Sequence, residues 1–472
     1  MLRLSGLDAS LLYSETPTAH MHVIGTLILD PTGEDSAFSF ERFREILASR
    51  LSVIPQFRRR LVPAPLGIDH PSWIEDANFD LDDHLLHAAV PPPGGVAELC
   101  DFVGRFTSVQ LDRSRPLWEM AVVEGLAGGR VAVITKLHHA IMDGGAGAEI
   151  MARIFDLTPD QPIEAVEDDW TPEEVPSKLR LAASATAKRV LRPADFLRAV
   201  RDASGGVVET VRDNIGGRST TAKVFGSPRT AFNGQLTASR AVGFGQVELD
   251  TVKAIKSAFG TTVNDVILAA SSAAARRLLL ELDAMVPRPL HAAVPISVRT
   301  EGDDGDGGVA GGNQVSLMTV RLPVQMDDDA AVLDYVAADA RAAKAVAGRI
   351  GAQLLQQTTD VLPPRLVEGL SMTMERVRLP DRIPPAFNMV VSNIAGPPIP
   401  LYCAGASVEA IYPMGPLMHG SGLNITALSN CGNLDIGVIT CRDKAPQAQM
   451  VAEEFCDSID RLAKAAEERS QS

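Results

Sequence analysis

The chain has 472 residues, which exceeds the usual size of one compact domain and predicts two. Hydrophobic residues make up 46% of the sequence and charged residues 22%, as in ordinary globular proteins. The formal net charge of −15 argues against a nucleic-acid-binding function, because phosphate contacts require a basic surface.

The cysteines and the N-terminus indicate the compartment. The five cysteines are odd in number and contain no Cys-x-x-Cys pair, which argues against a zinc ribbon or a disulfide framework. Asp8 and Glu15 interrupt the N-terminal stretch, where a signal peptide needs an unbroken apolar segment. No apolar run approaches the roughly 20 residues of a membrane span. We expect a cytoplasmic protein whose membrane contact, if it has any, is peripheral.

Strand and helix patterns alternate along the first third of the chain. Residues 21–29 predict a strand and residues 40–51 a helix. Two apolar runs at 118–126 and 131–138 flank a short glycine-containing segment and predict a hairpin. A glycine-rich turn follows, and then a predicted helix at 146–157.

A composition shift marks the boundary between the two predicted domains. Residues 160–174 are acidic, and residues 177–202 carry seven lysines and arginines before a glycine-containing stretch. We expect an N-terminal domain at 1–175, a charged linker at 176–230 and a C-terminal domain at 231–472. The basic stretch is either a solvated crossover or a helix that lies on anionic lipid.

The second half repeats the alternation and predicts a mixed α/β architecture. Thr261 or Thr262 is the expected cap of its first long helix. The predicted helices lie at 263–282, 330–355 and 445–466, and the predicted strands at 292–298, 314–324, 387–392, 423–428 and 434–440. The pattern indicates two α/β domains with mixed sheets.

The pair His138-His139, followed by Asp143-Gly144, is the most informative segment. It lies where a predicted strand meets a glycine-rich turn, a place where a rigid scaffold can aim a side chain into a cleft. Histidine is suited to accept a proton near neutral pH. The alternative is a buried strand-end histidine with a purely structural role.

Other chemistries have less support in the sequence. The His-Glu-x-x-His pattern is absent, and adjacent strand residues point to opposite faces, so the two histidines should not share a metal ion. No Gly-x-Ser-x-Gly elbow and no Gly-x-x-x-x-Gly-Lys loop is present. The residues therefore favour direct group transfer with a general base and without a covalent intermediate.

Residues 138–144 resemble the HHxxxDG motif of the CoA-dependent acyltransferase superfamily, which includes chloramphenicol acetyltransferase-like and condensation domains. Further segments resemble, in the same order, the bacterial wax ester synthase/diacylglycerol acyltransferases, in particular their actinobacterial triacylglycerol synthase-like branch. These segments are LSGLDA at 4–9, ETP at 15–17, MHV at 21–23, PLWE at 116–119, NDVILA at 264–269, PISVR at 295–299, GN at 312–313 and SNIAGP at 392–397.

The resemblance implies a fold of two chloramphenicol acetyltransferase-like α/β domains with a substrate tunnel between them. It implies transfer of a long-chain acyl group from acyl-CoA, a co-substrate, to diacylglycerol or a long-chain alcohol, without a cofactor or metal. The alternatives are acylation of another lipid or glycolipid hydroxyl and a non-catalytic lipid-binding role. Peripheral contact with the inner membrane face or with lipid droplets is also implied.

The resemblance also assigns site residues. His139 is the expected general base, within a catalytic motif that includes His138 and Asp143, and Asp143 is expected to pair with Arg299. Asn264 and backbone N–H groups after His139 are candidate oxyanion donors. Residues expected to support the site are Arg299, Gly144, Asn264 and Asp265, and those expected at the tunnel are Pro116, Leu117, Trp118, Asn313, Ser392 and Asn393.

Several of these residues have an ordinary structural alternative. An apolar pair such as Leu117 and Trp118 at the start of a strand is usually part of the core. Residues such as Asn264 and Asp265 at the start of a helix commonly cap it. The asparagines at 313 and 393 serve turns as readily as substrates.

Overall fold

A computed structural model describes residues 1–33, 38–67, 69–141, 150, 153–160, 170–173, 175–177, 226–297, 315–347 and 364–471. The strands in these ranges are β1 (Leu2–Arg3), β2 (His22–Asp30), β3 (Arg59–Val62), β4 (Ser72–Glu75), β5 (Leu85–Ala89), β6 (Trp118–Glu124), β7 (Val131–His138), β8 (Arg240–Glu248), β9 (Leu290–Ser297), β10 (Val315–Leu322), β11 (Met389–Ile394), β12 (Tyr402–Cys403), β13 (Ala406–Met414), β14 (Leu423–Asn430) and β15 (Asn433–Cys441). The longer helices are α1 (Gly6–Ser14), α2 (Phe40–Arg50), α3 (Val96–Thr107), α4 (Leu249–Phe259), α5 (Val263–Glu281), α6 (Asp329–Ala347), α7 (Pro364–Arg376) and α8 (Ala448–Gln471).

The first large sheet has the strand order β12-β13-β2-β7-β6-β5. Its central strands β2 and β7 are antiparallel, with His22 opposite His138 at one end and Leu29 opposite Val131 at the other. Strand β13 comes from the C-terminal half of the chain and pairs antiparallel with β2. The sheet that carries the histidine pair therefore includes strands from both halves of the chain.

The second large sheet has the order β10-β9-β11-β14-β15-β8. Strand β11 runs parallel to both of its neighbours, β9 and β14, whereas the remaining pairs are antiparallel. In the first sheet β5 and β6 are likewise parallel among antiparallel pairs. Both sheets are mixed, which confirms the predicted α/β class. A small third sheet, β1-β4-β3, lies beside the first.

Strand β7 is buried along its whole length, which explains its continuous apolar sequence. Thr135 and Lys136 interrupt that sequence, and the charge of Lys136 is compensated inside the protein. Its Nζ lies 2.7 Å from Oε2 of Glu119 and donates hydrogen bonds to the carbonyls of Phe106 and Val109. These contacts fix the last turn of α3 and the chain after it against the strand that ends in His138.

Helices cover the second sheet and complete its core. Helix α5 is buried over most of its length, because a run of alanine and leucine side chains faces the sheet and the neighbouring helices. Its first turn is closed by Thr262, one of the two predicted cap residues, in a reciprocal capping box with Asp265. The start of α5 is therefore fixed locally as well as by packing.

Most predicted elements are confirmed to within a few residues where the structure describes them. The predicted helices at 146–157 and 330–355 extend partly outside the described residues, as do the acidic and basic stretches of the expected linker. The division into 1–175, 176–230 and 231–472 stays a prediction. Among the helices in the described ranges, none is both long and apolar enough to cross a membrane.

Candidate active site

The histidine pair lies at the end of the central strand β7. The backbone N–H of His138 donates to the carbonyl of Leu117, and that of His139 donates to the carbonyl of Met21. The chain then turns through a short 3-10 segment, His139–Ile141. Both histidines are thus attached through their backbones to the segments on either side of β7, which leaves little freedom in where their rings point.

His138 faces a buried carboxylate. Glu15, directly after α1, places Oε2 3.7 Å from Nε2 of His138, and both side chains are almost fully buried. The backbone N–H of Ala140 donates to Nδ1 of His138. Since Nδ1 accepts this bond, the ring N–H lies on Nε2, the atom that faces Glu15.

Glu15 is held in its charged form. Arg113 donates to its Oε2 from Nε at 2.8 Å and from Nη2 at 2.5 Å, and also donates to the carbonyl of Leu12. Burial by itself raises the pKa of Glu15, but His138 and the Arg113 guanidinium outweigh burial and lower that pKa to about 2. Glu15 is therefore ionised at neutral pH inside the protein.

His139 has a different environment from His138. Its Nδ1 is buried and makes no hydrogen bond to another residue in the described part of the chain. Burial lowers the pKa of His139, and its own backbone carbonyl opposes this shift only in part. The imidazole is consequently neutral at neutral pH, the protonation state that a general base needs.

Two further histidines surround Glu15. His20 and His22 are buried with ring centroids 5.1 Å apart, and Nε2 of His22 lies 4.0 Å from Oε1 of Glu15. Burial lowers the pKa of both rings. Both rings stay neutral, so neither of them adds a positive charge beside Glu15. Among the residues that the structure describes, no cluster of histidine, cysteine and carboxylate side chains is arranged to hold a metal ion.

The other predicted residues lie in several places. Leu117 and Trp118 are completely buried in the core, where the Trp118 ring stacks on Phe57 and its Nε1 donates to the carbonyl of that residue. Pro116 is also buried, one residue before them. The carbonyl of Leu117 nevertheless belongs to the site, because it accepts the N–H of His138.

The candidates in the second half of the chain are less uniform in burial. Asn264 is half-buried in the first turn of α5, and Asp265 forms the capping box with Thr262. Ser392 is half-buried and Asn393 exposed on β11. Asp143, Gly144, Arg299 and Asn313 lie outside the described residues, and their assignments stay predictions.

Glu15 and Arg113 were not among the site residues predicted from the sequence. Glu15 stands in the ETP segment that carries the family resemblance, but nothing in the local pattern shows that its carboxylate is buried. Arg113 lies 98 residues further along the chain, and its contact with Glu15 depends on the tertiary fold. His22 was not among the predicted site residues either, although it stands in the MHV segment that also carries the family resemblance, and it lies opposite His138 in the neighbouring strand.

Comparison with known proteins identifies the family. The model of the wax ester synthase/diacylglycerol acyltransferase catalytic domain matches residues 4–267, and that of the C-terminal domain of the same family matches residues 311–463. Two Mycobacterium tuberculosis proteins named as diacylglycerol O-acyltransferases are similar along most of their length. One is 35% identical over 472 residues, covering 100% of this chain and 92% of its own, and the other is 34% identical over 440 residues, covering 93% and 91%.

Solved structures agree with this result. The wax ester synthase/diacylglycerol acyltransferase from Marinobacter aquaeolei VT8 is 25% identical with a TM-score of 0.70, covering 99% of this chain and 100% of its own. The first condensation domain of the calcium-dependent antibiotic synthetase shares the fold at 16% identity and a TM-score of 0.55, covering 98% and 96%. This chain belongs to the wax ester synthase/diacylglycerol acyltransferase family and is an acyl-CoA-dependent O-acyltransferase of that family.

Proposed function

We propose that the enzyme transfers a long-chain acyl group from acyl-CoA to diacylglycerol, producing triacylglycerol, and accepts a long-chain alcohol as a second acceptor. The names of the M. tuberculosis relatives favour diacylglycerol. The Marinobacter protein, whose name includes both activities, supports the alcohol as the alternative acceptor. The structural observation that carries the proposal is the half-buried imidazole of His139 directly after β7, whose Nδ1 is buried and makes no hydrogen bond to another described residue.

The proposed reaction is a direct transfer. His139 takes the proton of the acceptor hydroxyl as its oxygen attacks the thioester carbonyl of acyl-CoA. The resulting tetrahedral intermediate collapses with cleavage of the carbon–sulfur bond, and the proton passes from His139 to the CoA sulfur. The products are the ester and free CoA thiol. General-base help of this kind typically accelerates a reaction by ~10²–10⁴.

Glu15 supports this reaction as a positioning residue. Its carboxylate faces Nε2 of His138, whose Nδ1 accepts the N–H of Ala140 on the far side of His139. The chain is therefore held on both sides of the proposed base by one buried network. Because the N–H of Ala140 is donated to His138, it does not serve as an oxyanion donor, and Asn264 and N–H groups further along remain the proposed donors.

The remaining site assignments extend the same proposal. Asp143 pairs with Arg299 and holds the turn after His139, with Gly144 allowing that turn. A tunnel between the two halves reaches His139, with Asn313, Ser392 and Asn393 near its lining. The enzyme works without a metal or prosthetic group in the cytoplasm, in peripheral contact with the membrane or with lipid droplets. These statements rest on the family to which the chain belongs.

The acceptor is tested with purified enzyme and palmitoyl-CoA. Diacylglycerol and hexadecanol are offered separately, CoA release is followed, and the ester product is identified by mass. We expect triacylglycerol with diacylglycerol and a slower formation of wax ester with hexadecanol. CoA release without ester from either acceptor would show that another hydroxyl or water is the acceptor. Binding of acyl-CoA without any turnover would contradict the proposal and favour a lipid-binding role.

A further inference from the structure

Residues 15–21 contact both members of the histidine pair. At one end of this segment, Oε2 of Glu15 lies 3.7 Å from Nε2 of His138. At the other end, the carbonyl of Met21 accepts the backbone N–H of His139 at 2.8 Å. The position of the segment therefore affects the side chain of one histidine and the backbone of the other.

The middle of this segment is a tight turn. The backbone N–H of Thr16 donates to the carbonyl of Ala19, and the N–H of Ala19 donates in return to the carbonyl of Thr16. Nε2 of His20 donates to the carbonyl of Pro17 at 3.0 Å. Because the turn is closed by its own hydrogen bonds, a displacement of the turn is transmitted to both ends of the segment.

The C-terminal half of the chain holds this turn through three side chains. Oε1 of Glu375, near the end of α7, accepts a hydrogen bond from the hydroxyl of Thr18 at 2.7 Å. Nη2 of Arg240 donates to the carbonyl of the same threonine at 2.8 Å. Nε2 of His419 lies 3.2 Å from the hydroxyl of Thr16. Two residues of the turn are thus bound to the other half of the chain.

The side chain of Glu375 lies inside this contact and not on the open surface. It is 14% exposed, the side chain of His419 is 15% exposed, and Oε2 of Glu375 lies 3.9 Å from Nε2 of His419. Burying a carboxylate costs free energy that burying an apolar side chain would not. We therefore attribute the residue type at this position to its directed hydrogen bond with Thr18.

We infer that Glu375 is a positioning residue of the C-terminal half: its hydrogen bond with Thr18 fixes the turn at 16–19 and thereby the orientation of the histidine pair. Arg240 and His419 hold the same turn from neighbouring positions. A general base must lie within hydrogen-bond reach of the proton that it takes. A misplacement of about 1 Å in such an arrangement can cost roughly 100-fold in rate. The C-terminal half thus helps to align a base that the N-terminal half carries.

This inference rests on the proposed function for the role of His139 as the base. Its test therefore combines rates with a measurement that needs no turnover, nuclear magnetic resonance of the ring nitrogens in protein that contains isotopically labelled histidine. The signals of His138 and His139 are assigned by their loss in the His138→Ala and His139→Ala proteins.

Two substitutions remove the same hydrogen bond from opposite sides, Glu375→Ala and Thr18→Val, and they are also combined in one protein. Glu375→Gln is the conservative variant, because its amide oxygen still accepts from the Thr18 hydroxyl. Glu368→Ala is the matched control, since Glu368 is an exposed glutamate on the same helix. Thermal unfolding of each variant establishes that it is folded.

We expect Glu375→Ala and Thr18→Val to lower kcat by about tenfold or more, while the KM for acyl-CoA stays within about twofold. The double variant should lose no more than either single variant, because all three lack the same bond. Glu375→Gln and Glu368→Ala should keep kcat within about threefold of the wild type. The ring-nitrogen signals of His138 and His139 should shift in the first three proteins and keep their positions in the last two.

Ring signals that keep their positions in the folded Glu375→Ala and Thr18→Val proteins would overturn the inference. A loss of rate that appears only in the KM for acyl-CoA would also overturn it. So would losses that multiply in the double variant, because the two residues would then act independently. Shifted ring signals in a set of proteins without any turnover, the wild type included, would contradict the proposed function and support the positioning of the histidine pair.

Discussion

At the scale of single residues, the ionised carboxylate of Glu15 in the candidate site also contributes to the stability of the fold. The pKa of Glu15 is lowered from its ordinary 4.5 to about 2, so the folded state binds this proton less readily than the unfolded state. The stabilisation is complete above pH 4.5 and is lost as the pH falls toward 2. A shift of this size corresponds to about 3 kcal/mol of unfolding free energy.

Glu15→Gln removes this titration. We expect the wild type to exceed the variant in unfolding free energy at pH 6, and the difference to shrink by about 2 kcal/mol at pH 3. Urea unfolding at both pH values measures the difference. Glu124→Gln is the matched control, because Glu124 pairs with His87 at the exposed surface. A difference between wild type and Glu15→Gln that does not change with pH would show that Glu15 is not held in its charged form.

In the proposed mechanism, the pH dependence of catalysis reflects the protonation of His139. Burial lowers its pKa below the ordinary value of 6.5, so the neutral form predominates throughout the neutral range. We expect kcat/KM to be constant from pH 6.5 to 8 and to fall only at a more acidic pH, as the imidazole gains a proton. Initial rates are measured with varied acyl-CoA at saturating acceptor, from acidic pH up to pH 8, and give kcat/KM at each pH. A fall in kcat/KM that is centred above pH 6.5 would contradict this environment for the base.

At the scale of elements, the start of α5 tests whether Asp265 is structural or catalytic. Its Oδ2 accepts from the backbone N–H and the hydroxyl of Thr262, and Oγ1 of Thr262 accepts the N–H of Asp265 in return. Asp265→Ala removes the acceptor and should lower the unfolding free energy by about 1 kcal/mol. The kcat/KM of the folded variant should stay within a few fold of the wild type.

Asp265→Asn serves as the control, since its amide oxygen still accepts a hydrogen bond from Thr262. Denaturant unfolding and steady-state rates are measured on all three proteins. A loss of more than tenfold in kcat/KM, with unchanged stability in Asp265→Ala, would place this residue among the catalytic groups instead.

The sequence predicts best those helices and strands whose local pattern of apolar and capping residues determines their structure. Strand β7 is a continuous apolar run because it is buried on both faces, and α5 has a cap and a long buried face. Leu117 and Trp118 are core residues, as an apolar pair entering a strand predicts. By contrast, β13 joins the first sheet through long-range pairing with β2, which no local pattern reveals.

The same distinction applies to the site. The histidine pair is recognisable because its residue types and spacing carry the chemistry. Glu15, which faces His138, and Arg113, which holds Glu15, are not recognisable in the sequence. Their contact spans 98 residues and exists only in the folded chain. The contacts with His138 and Arg113 that lower the pKa of Glu15, and the burial that lowers the pKa of His139, are likewise properties of the assembled core.

At the scale of the whole molecule, both halves of the chain hold the segment around Glu15. Arg240 in β8 donates to the carbonyl of Thr18, and Nε2 of His419 lies 3.2 Å from the hydroxyl of Thr16. The carboxylate of Asp435 in β15 accepts the N–H of Ile411 in β13, which places that strand beside β2. The histidine pair is therefore carried by one half of the chain, and the segment around Glu15 that faces it is held by both halves.

The central claim is that His139 is the general base of acyl transfer, and one comparison tests it most directly. His139→Ala and His87→Ala are assayed for ester formation from palmitoyl-CoA and diacylglycerol, with unfolding and acyl-CoA binding measured on both proteins. His87 is an exposed histidine in the same sheet, so its loss should leave the rate unchanged. We predict that kcat/KM falls at least about 100-fold in His139→Ala while the fold and acyl-CoA binding persist. A folded His139→Ala that forms ester within tenfold of the wild-type rate would contradict the account.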